Sequence, residues 1–303
     1  MLRSAAALLL ASTPALGLTT EDCRARSPFD PAALRVVVVI AGEDDPTIVR
    51  EIAALGANAI ATVTPPRRET ALAAEAAGLV YFPRLTTREV DRLPWDTSRV
   101  ESIRRMPSIA GFQYIDESVL EGYESPETQA RAYEILKALF ADRLVIHPTR
   151  LDPIATDAGY LARVYRPEFT DLVTPYFYPV GTTVLGTQTD SDPWPERLRS
   201  LLEPLAAATP AGKPILPVLQ AYQQAGYPVG GGLPRRQLDV YAELWPANRN
   251  VAAFWWGGPT TEPFVGMSEL PSIARGVREA FGSDPSRPAP CVAAPRLPLE
   301  SAP

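Results

Sequence analysis

The chain has 303 residues, with 29 Lys and Arg against 35 Asp and Glu, a formal net charge of −6 and a pI near 5.1. That balance excludes a partner held through its phosphates, because polyanions attract basic surfaces, and no nucleic acid is expected. The basic pairs Arg67-Arg68 and Arg235-Arg236 are isolated and read as solvated faces.

In chain order, Met1-Leu2-Arg3 gives a short basic start, Ala5 to Ala11 an apolar run, and Ala15-Leu16-Gly17 the small residues that a signal peptidase reads. The apolar run falls short of the about 20 residues needed to span a bilayer. Residues 1–17 are therefore expected to be a signal peptide, and the mature protein to be secreted or periplasmic, monomeric and without a stable membrane anchor.

Leu34 to Ile40 is a continuous β-branched run, the pattern of a strand buried on both faces. A helix is expected from Pro46 to Leu55, stopped at Gly56, then a strand over Ala57–Val63 and a helix over Glu69–Ala77 ended by Gly78. The third unit is Leu79–Leu85 with a short helix over Ser98–Arg105. The fourth is Ile109–Ile115, with Pro126 opening a helix to about Ala141. The fifth pairs Arg143–Ile146 with Asp157–Val164, and the sixth Asp171–Tyr178 with Pro193–Ala207. Pro214–Tyr222 with Pro234–Trp245, and Val251–Trp256 with Ser268–Phe281, complete the series.

Eight strand–helix alternations predict a single (β/α)₈ TIM barrel over residues 18–282, a usual size for that fold. A doubly wound open sheet would call for a Gly-rich phosphate turn after strand one, and none is present. From 283 to 303 Pro, Ala and Ser dominate without apolar periodicity, so a disordered tail is expected. Cys23 and Cys291 flank the barrel, whose chain ends should lie close together, and a Cys23–Cys291 disulfide is expected in an exported chain. Their spacing does not suit a metal site.

In such a barrel the inward residues at the carboxyl ends of the strands meet at one mouth. Strand four ends in Asp116-Glu117, two adjacent carboxylates after an apolar run. Strand three offers Arg84, strand five the chain's one histidine, His147, and the loop after strand one Glu43, Asp44 and Asp45. Strand six gives Tyr176 and Tyr178, two apart and so on one face; strand seven gives Gln220 and Tyr222 by the same parity. Strand eight ends in Trp255-Trp256. For the aromatics and His147 the competing reading is core packing, for Asp45 a helix cap, and for the carboxylate pair an ion pair holding a loop. Gln220 must find hydrogen-bond partners inside an apolar strand, whichever reading holds.

Aromatics, amides and carboxylates without a phosphate loop or a metal cluster suit a carbohydrate, whose ring faces stack and whose hydroxyls take hydrogen bonds. No cofactor is expected. The chain resembles the barrel glycoside hydrolases, in which strand four ends in an acid/base Glu, and Glu117 falls at that position. Two branches of that superfamily are in view. In the large retaining clan strand four ends in Asn-Glu and strand seven supplies a nucleophilic Glu; this chain has Asp116-Glu117 but Gln220-Ala221-Tyr222. In the chitinase-like branch strand four reads Asp-Gly-Phe-Asp-x-Asp-x-Glu, with a Tyr on strand six and a Trp on strand eight. Gly111-Phe112 and Glu117 keep that spacing, while Gln113 and Ile115 replace the intervening acids.

The resemblance implies a glycosidase in which Glu117 donates the proton and Asp116 raises its pKa or binds a hydroxyl. Tyr176, Tyr178, Gln220, Tyr222, His147, Trp255, Trp256, Arg84 and Glu43 would bind the sugar. The second acid stays open among Glu43, Asp44 and Glu262. A carbohydrate-binding barrel without turnover is the alternative. A metal-dependent hydrolase would need more ligands than His147 and the strand-four acids supply.

Overall fold

The computed structural model describes residues 37–40, 46–114, 125–157, 159–183, 186–248, 250–254, 257 and 264–282. The 1–17 leader, the 283–303 tail, Cys23, Cys291, Glu43, Asp116, Glu117, Trp255 and Trp256 lie outside the described residues.

The strands are β1 (Val37–Ile40), β2 (Ala59–Thr62), β3 (Val80–Phe82), β4 (Arg84–Leu85), β5 (Gly111–Tyr114), β6 (Leu144–Arg150), β7 (Leu172–Tyr176), β8 (Gly181–Thr183), β9 (Gly186–Gln188), β10 (Val218–Gln220), β11 (Tyr222–Gln224), β12 (Ala252–Phe254) and β13 (Phe264–Gly266). The helices are α1 (Pro46–Ala54), α2 (Arg68–Ala76), α3 (Thr87–Arg92), α4 (Thr97–Arg104), α5 (Pro126–Leu139), α6 (Tyr160–Val164), α7 (Trp194–Ala208), α8 (Leu233–Leu244) and α9 (Pro271–Gly282).

One parallel sheet runs in the order β3-β2-β1-β12-β10-β7-β6-β5-β4. Its first and last members, β3 and β4, are a single strand broken at Pro83, which has no N–H to give a ladder. On the β3 side Tyr81 donates to Ser108 O (2.7 Å) and Ala110 to Tyr81 O (3.0 Å); on the β4 side Arg84 pairs with Gln113. The pairings thus return to the strand they left, and the sheet is curled in a TIM-like α/β arrangement.

Between Tyr81↔Ile109 and Arg84↔Gln113 the fourth barrel strand carries one extra residue, a bulge at Ala110-Gly111. Only glycine fits there, since a Cβ on Gly111 would lie 2.3 Å from Leu144 O.

Alternation along the strands separates two apolar layers. Ala59, Ala61, Phe82, Ala110, Leu144, Ile146, Leu172, Leu216, Val218 and Ala252 fill the inside of the sheet. Ile60, Tyr81, Phe112, Val145, Val173, Leu219 and Ala253 face the helices. The small inner residues match the narrow interior of a closed sheet, and the larger outer ones meet Leu198, Leu201, Leu202 and Leu205 of α7 and Val240 of α8.

Most units fall where the sequence puts them, and four differ for local reasons. Helix α3 was not expected; Thr86 nucleates it through a capping box, with its backbone N–H on Glu89 at 3.0 Å and Glu89 N–H on its hydroxyl at 3.3 Å. The fifth barrel strand runs on past Ile146 to Arg150, because β7 supplies partners for all of Ile146–Arg150. The helix expected from Asp157 is only α6, preceded by a 3₁₀ turn over Asp152–Ala155. The seventh strand shrinks to Val218–Gln220, since Pro214 and Pro217 lack donors, and Tyr222–Gln224 leaves the barrel to pair antiparallel with Phe264–Gly266.

Helix α9 meets bare backbone in the turn just before α8: a Cβ on Gly276 would lie 1.8 Å from Gly231 O. Gly276→Ala ought to stabilise an isolated helix by up to about 1 kcal/mol. Here the clash is with backbone that cannot step aside, so a net loss of about 1–3 kcal/mol is expected, read as a lower urea midpoint. A higher midpoint would refute the close packing.

Candidate active site at the mouth of the sheet

Residues paired across neighbouring strands point to the same side, so register assigns faces. Arg84 pairs with Gln113, and Gln113 with Ile146 of the inner layer. Arg150 pairs with Tyr176, which packs on that layer too. Thr174 lies two residues before Tyr176 and shares its face. These side chains approach one mouth at the carboxyl ends of β4 to β7. Gln113 donates only long bonds, to Thr62 O at 3.4 Å and Phe82 O at 3.5 Å. The Thr174 hydroxyl, buried, has no hydrogen-bond partner among the described residues.

The opposite side of the mouth is aromatic. Tyr178 stacks on Phe254 with ring centres 5.2 Å apart and planes 14° from parallel, and stands 5.4 Å from Tyr176. Tyr222 meets Tyr178, Phe254 and Phe264 edge-on at 5.3, 5.8 and 5.5 Å. Such pairs contribute about 0.5–1.5 kcal/mol each beyond their burial. Burial pushes the Tyr178 and Tyr222 phenols well above their ordinary range, reinforced by the neighbouring tyrosines at Tyr178 and by the Asp152 carboxylate at Tyr222, so both stay protonated donors.

Between the two sides sits an ion pair absent from the sequence-based list. Arg150 Nε and Nη2 both donate to Asp152 Oδ2, at 3.3 and 3.0 Å. Burial raises the Asp152 pKa, and Arg150 opposes that rise with its charge and its hydrogen bond. The Tyr160 phenol close by is pushed up to about 12, chiefly by burial. The pair went unread because strand five was ended at Ile146. Its only signal was a cation and an anion two residues apart after an apolar run.

Of the nine expected sugar-binding residues, Tyr176, Tyr178 and Tyr222 come together, and Arg84 joins them on the inner face. Two do not serve as expected. Gln220 is fully buried, and its amide is used up on backbone: Oε1 accepts from Val180 N–H (3.0 Å), while Nε2 donates to Val180 O (2.8 Å) and Tyr222 O (3.3 Å). It fastens the loop after β7 instead of offering itself to a ligand. His147 is in register with Val173 of the outer layer and packs on the Tyr114 ring at 5.9 Å, so it points away from the mouth. Strand parity, one residue from the inward Ile146 and Pro148, decides this. Trp255, Trp256 and Glu43 lie outside the described residues, as do both strand-four acids.

Among the described residues no group of three His, Cys, Asp or Glu is placed to hold a metal ion. A groove of about 530 Å³ does exist elsewhere, between α2 and α4, lined by Arg68, Glu75, Glu101 and Arg105. It lies outside the barrel and contains none of the candidate residues.

No family model and no curated protein matches the chain. Solved structures do. A β-D-glucuronidase from Dictyoglomus thermophilum superposes with a TM-score of 0.55 at 12% identity, over 82% of this chain and 50% of that one. A calcium-binding mutant of Bacteroides uniformis β-glucuronidase 2 gives 0.51 at 14%, over 84% and 36%. A GH2 β-galacturonidase from Eisenbergiella tayi gives 0.50 at 16%, over 83% and 51%. The chain spans about a third to a half of those proteins. At such identities the likeness shows the TIM-like α/β fold alone.

Burial holds the His147 pKa down from 6.5 to about 4, and Nε2 has no hydrogen-bond partner among the described residues. Between those values the unfolded chain binds the proton and the folded one does not, so stability falls as pH drops from 6.5 towards 4. The loss should be on the order of 3 kcal/mol in total. His147→Phe should flatten that acid limb in urea titrations at pH 4.5 and 7; an unchanged limb would assign it to other groups.

Proposed function

We propose that the chain is an exported glycoside hydrolase that cleaves a poly- or oligosaccharide, with Glu117 as general acid. The observation that carries this reading is the two-sided mouth: stacked rings from β7, β11 and β12 facing polar side chains from β4 to β6. Pyranose rings offer an apolar face and a rim of hydroxyls, and this mouth offers a partner to each. The glycoside hydrolase-like fold supports it further. β5 ends at Tyr114, and Asp116 and Glu117 follow it directly in the sequence, which supports assigning them to the same rim. Adjacent acids raise one another's pKa, so Asp116 keeps Glu117 protonated near neutral pH.

One observation favours the second reading, a carbohydrate-binding barrel without turnover. The amide at the strand-seven position, Gln220, is fixed to the Val180 backbone and can be no nucleophile. Double displacement through that position is therefore left out of the proposal. The sugar-binding set comprises Tyr176, Tyr178, Tyr222, Arg84, Trp255, Trp256 and Glu43. Export and the Cys23–Cys291 disulfide are proposed with it, and unreduced peptide mapping should find the two cysteines linked.

General acid catalysis is typically worth about 10²–10⁴-fold, so Glu117→Gln should lower turnover by about that factor while affinity for intact oligosaccharide survives. Release of reducing ends from a polysaccharide panel measures it. Wild-type turnover in the variant would sink the mechanism. Binding without product release from any polysaccharide would favour the second reading.

A further inference from the structure

We infer that the Arg150–Asp152 pair is the element that selects the sugar, and that it selects a neutral pyranose unit over a uronate. The inference rests on the carbohydrate reading above and adds to it a class of substrate and the residues that choose it.

The geometry is that of a fixed, half-used fork. Asp152 Oδ2 takes both Nε and Nη2 of Arg150, which locks the guanidinium plane and leaves Nη1 without a hydrogen-bond partner among the described residues. The arginine side chain is 28% exposed and the aspartate 9%, so the free edge of the fork is the part a ligand can reach. Register puts Arg150 beside Tyr176, and Leu151 N–H binds Tyr176 O at 3.1 Å, so the fork and the aromatic wall are one rigid unit. Below them on the same face the buried Thr174 hydroxyl has no hydrogen-bond partner among the described residues. A ring laid against Tyr176 and Tyr178 would find a donor at Nη1, an acceptor in the carboxylate and a hydroxyl at the floor.

Charge decides the class. The pair is neutral as a unit, and its negative member is the more deeply buried. A sugar hydroxyl accepts from Nη1 and donates to the carboxylate, using both partners. The carboxylate of a uronate placed there can only accept, from Nη1, and it brings a second negative charge towards Asp152 where little solvent screens it. Nor does the pair read as a strut. Its members are two residues apart and join no distant elements, so it contributes little to holding the fold together.

The test uses the full chain carrying Glu117→Gln, so that probes are not consumed, and isothermal titration. Cello-, xylo-, laminari- and mannohexaose serve as neutral probes and hexagalacturonate as the charged one. At least one neutral probe should bind about tenfold or more tightly than hexagalacturonate, a difference of one charge-assisted hydrogen bond. Arg150→Lys keeps the charge but loses the fork, and should weaken the neutral probe about tenfold. Asp152→Asn leaves the guanidinium uncompensated and should turn the preference towards hexagalacturonate, a reversal that mere loosening of the fold would not produce. Circular dichroism and urea midpoints identify variants that fail to fold; should Asp152→Asn fail, Arg150→Lys decides. A wild-type preference for hexagalacturonate, or unchanged affinities in folded variants, would overturn this inference alone. No binding by any probe would overturn the carbohydrate reading and this inference with it.

Discussion

Two buried glutamines hold the mouth of this barrel in shape. Gln220 spends its side chain on the backbone of Val180, and its own N–H goes to Gln237 Oε1 at 2.8 Å. Gln237, on α8, donates to Phe177 O at 3.0 Å, and Tyr241 one turn on donates to Pro175 O at 3.3 Å. The end of β7 and the segment after it are thereby tied to β10 and to the helix behind. Each amide lies where an unmade hydrogen bond would cost about 1–3 kcal/mol, so the network is stable only when complete. Tyr176, Tyr178 and Tyr222 project from the segments it fixes. The aromatic wall is placed by polar groups that bond to backbone, Tyr222 O included, and not to the rings.

Beyond that clamp the chain forms short antiparallel pairs, β8 with β9 and β11 with β13. The two pack directly on one another, since a Cβ on Gly181 would lie 2.4 Å from Gln224 Oε1, and Gly181 has the left-handed φ of 129° that glycine adopts without strain. Tyr222 of β11 is held there between Phe254 and Phe264, at 5.8 and 5.5 Å.

The chemistry such a mouth can support follows from which groups are charged and which are not. His147, neutral at ordinary pH and turned to the helices, takes no part in proton transfer at the mouth. The phenols remain protonated, and the Arg150–Asp152 pair is neutral as a unit. The described part of the mouth thus presents protonated phenols, apolar ring faces and one neutral ion pair.

Fold class was legible in the sequence because burial on both faces writes continuous apolar runs, and helices write their own period; both are local signals that survive in one dimension. The same holds for Tyr176 and Tyr178, whose spacing of two puts both against the inner layer. Three things were decided only by the tertiary structure. Strand ends depend on the partner strand: β7 carries the fifth strand on to Arg150, and Arg150 and Asp152 reach the mouth with it. The side of the sheet that His147 faces depends on register, and a change of one residue exchanges mouth for core. Whether Gln220 meets a ligand or the backbone depends on Val180, 40 residues away in sequence. Sequence records what each residue can do locally, whereas the partner that uses up its hydrogen bonds is chosen by segments far along the chain.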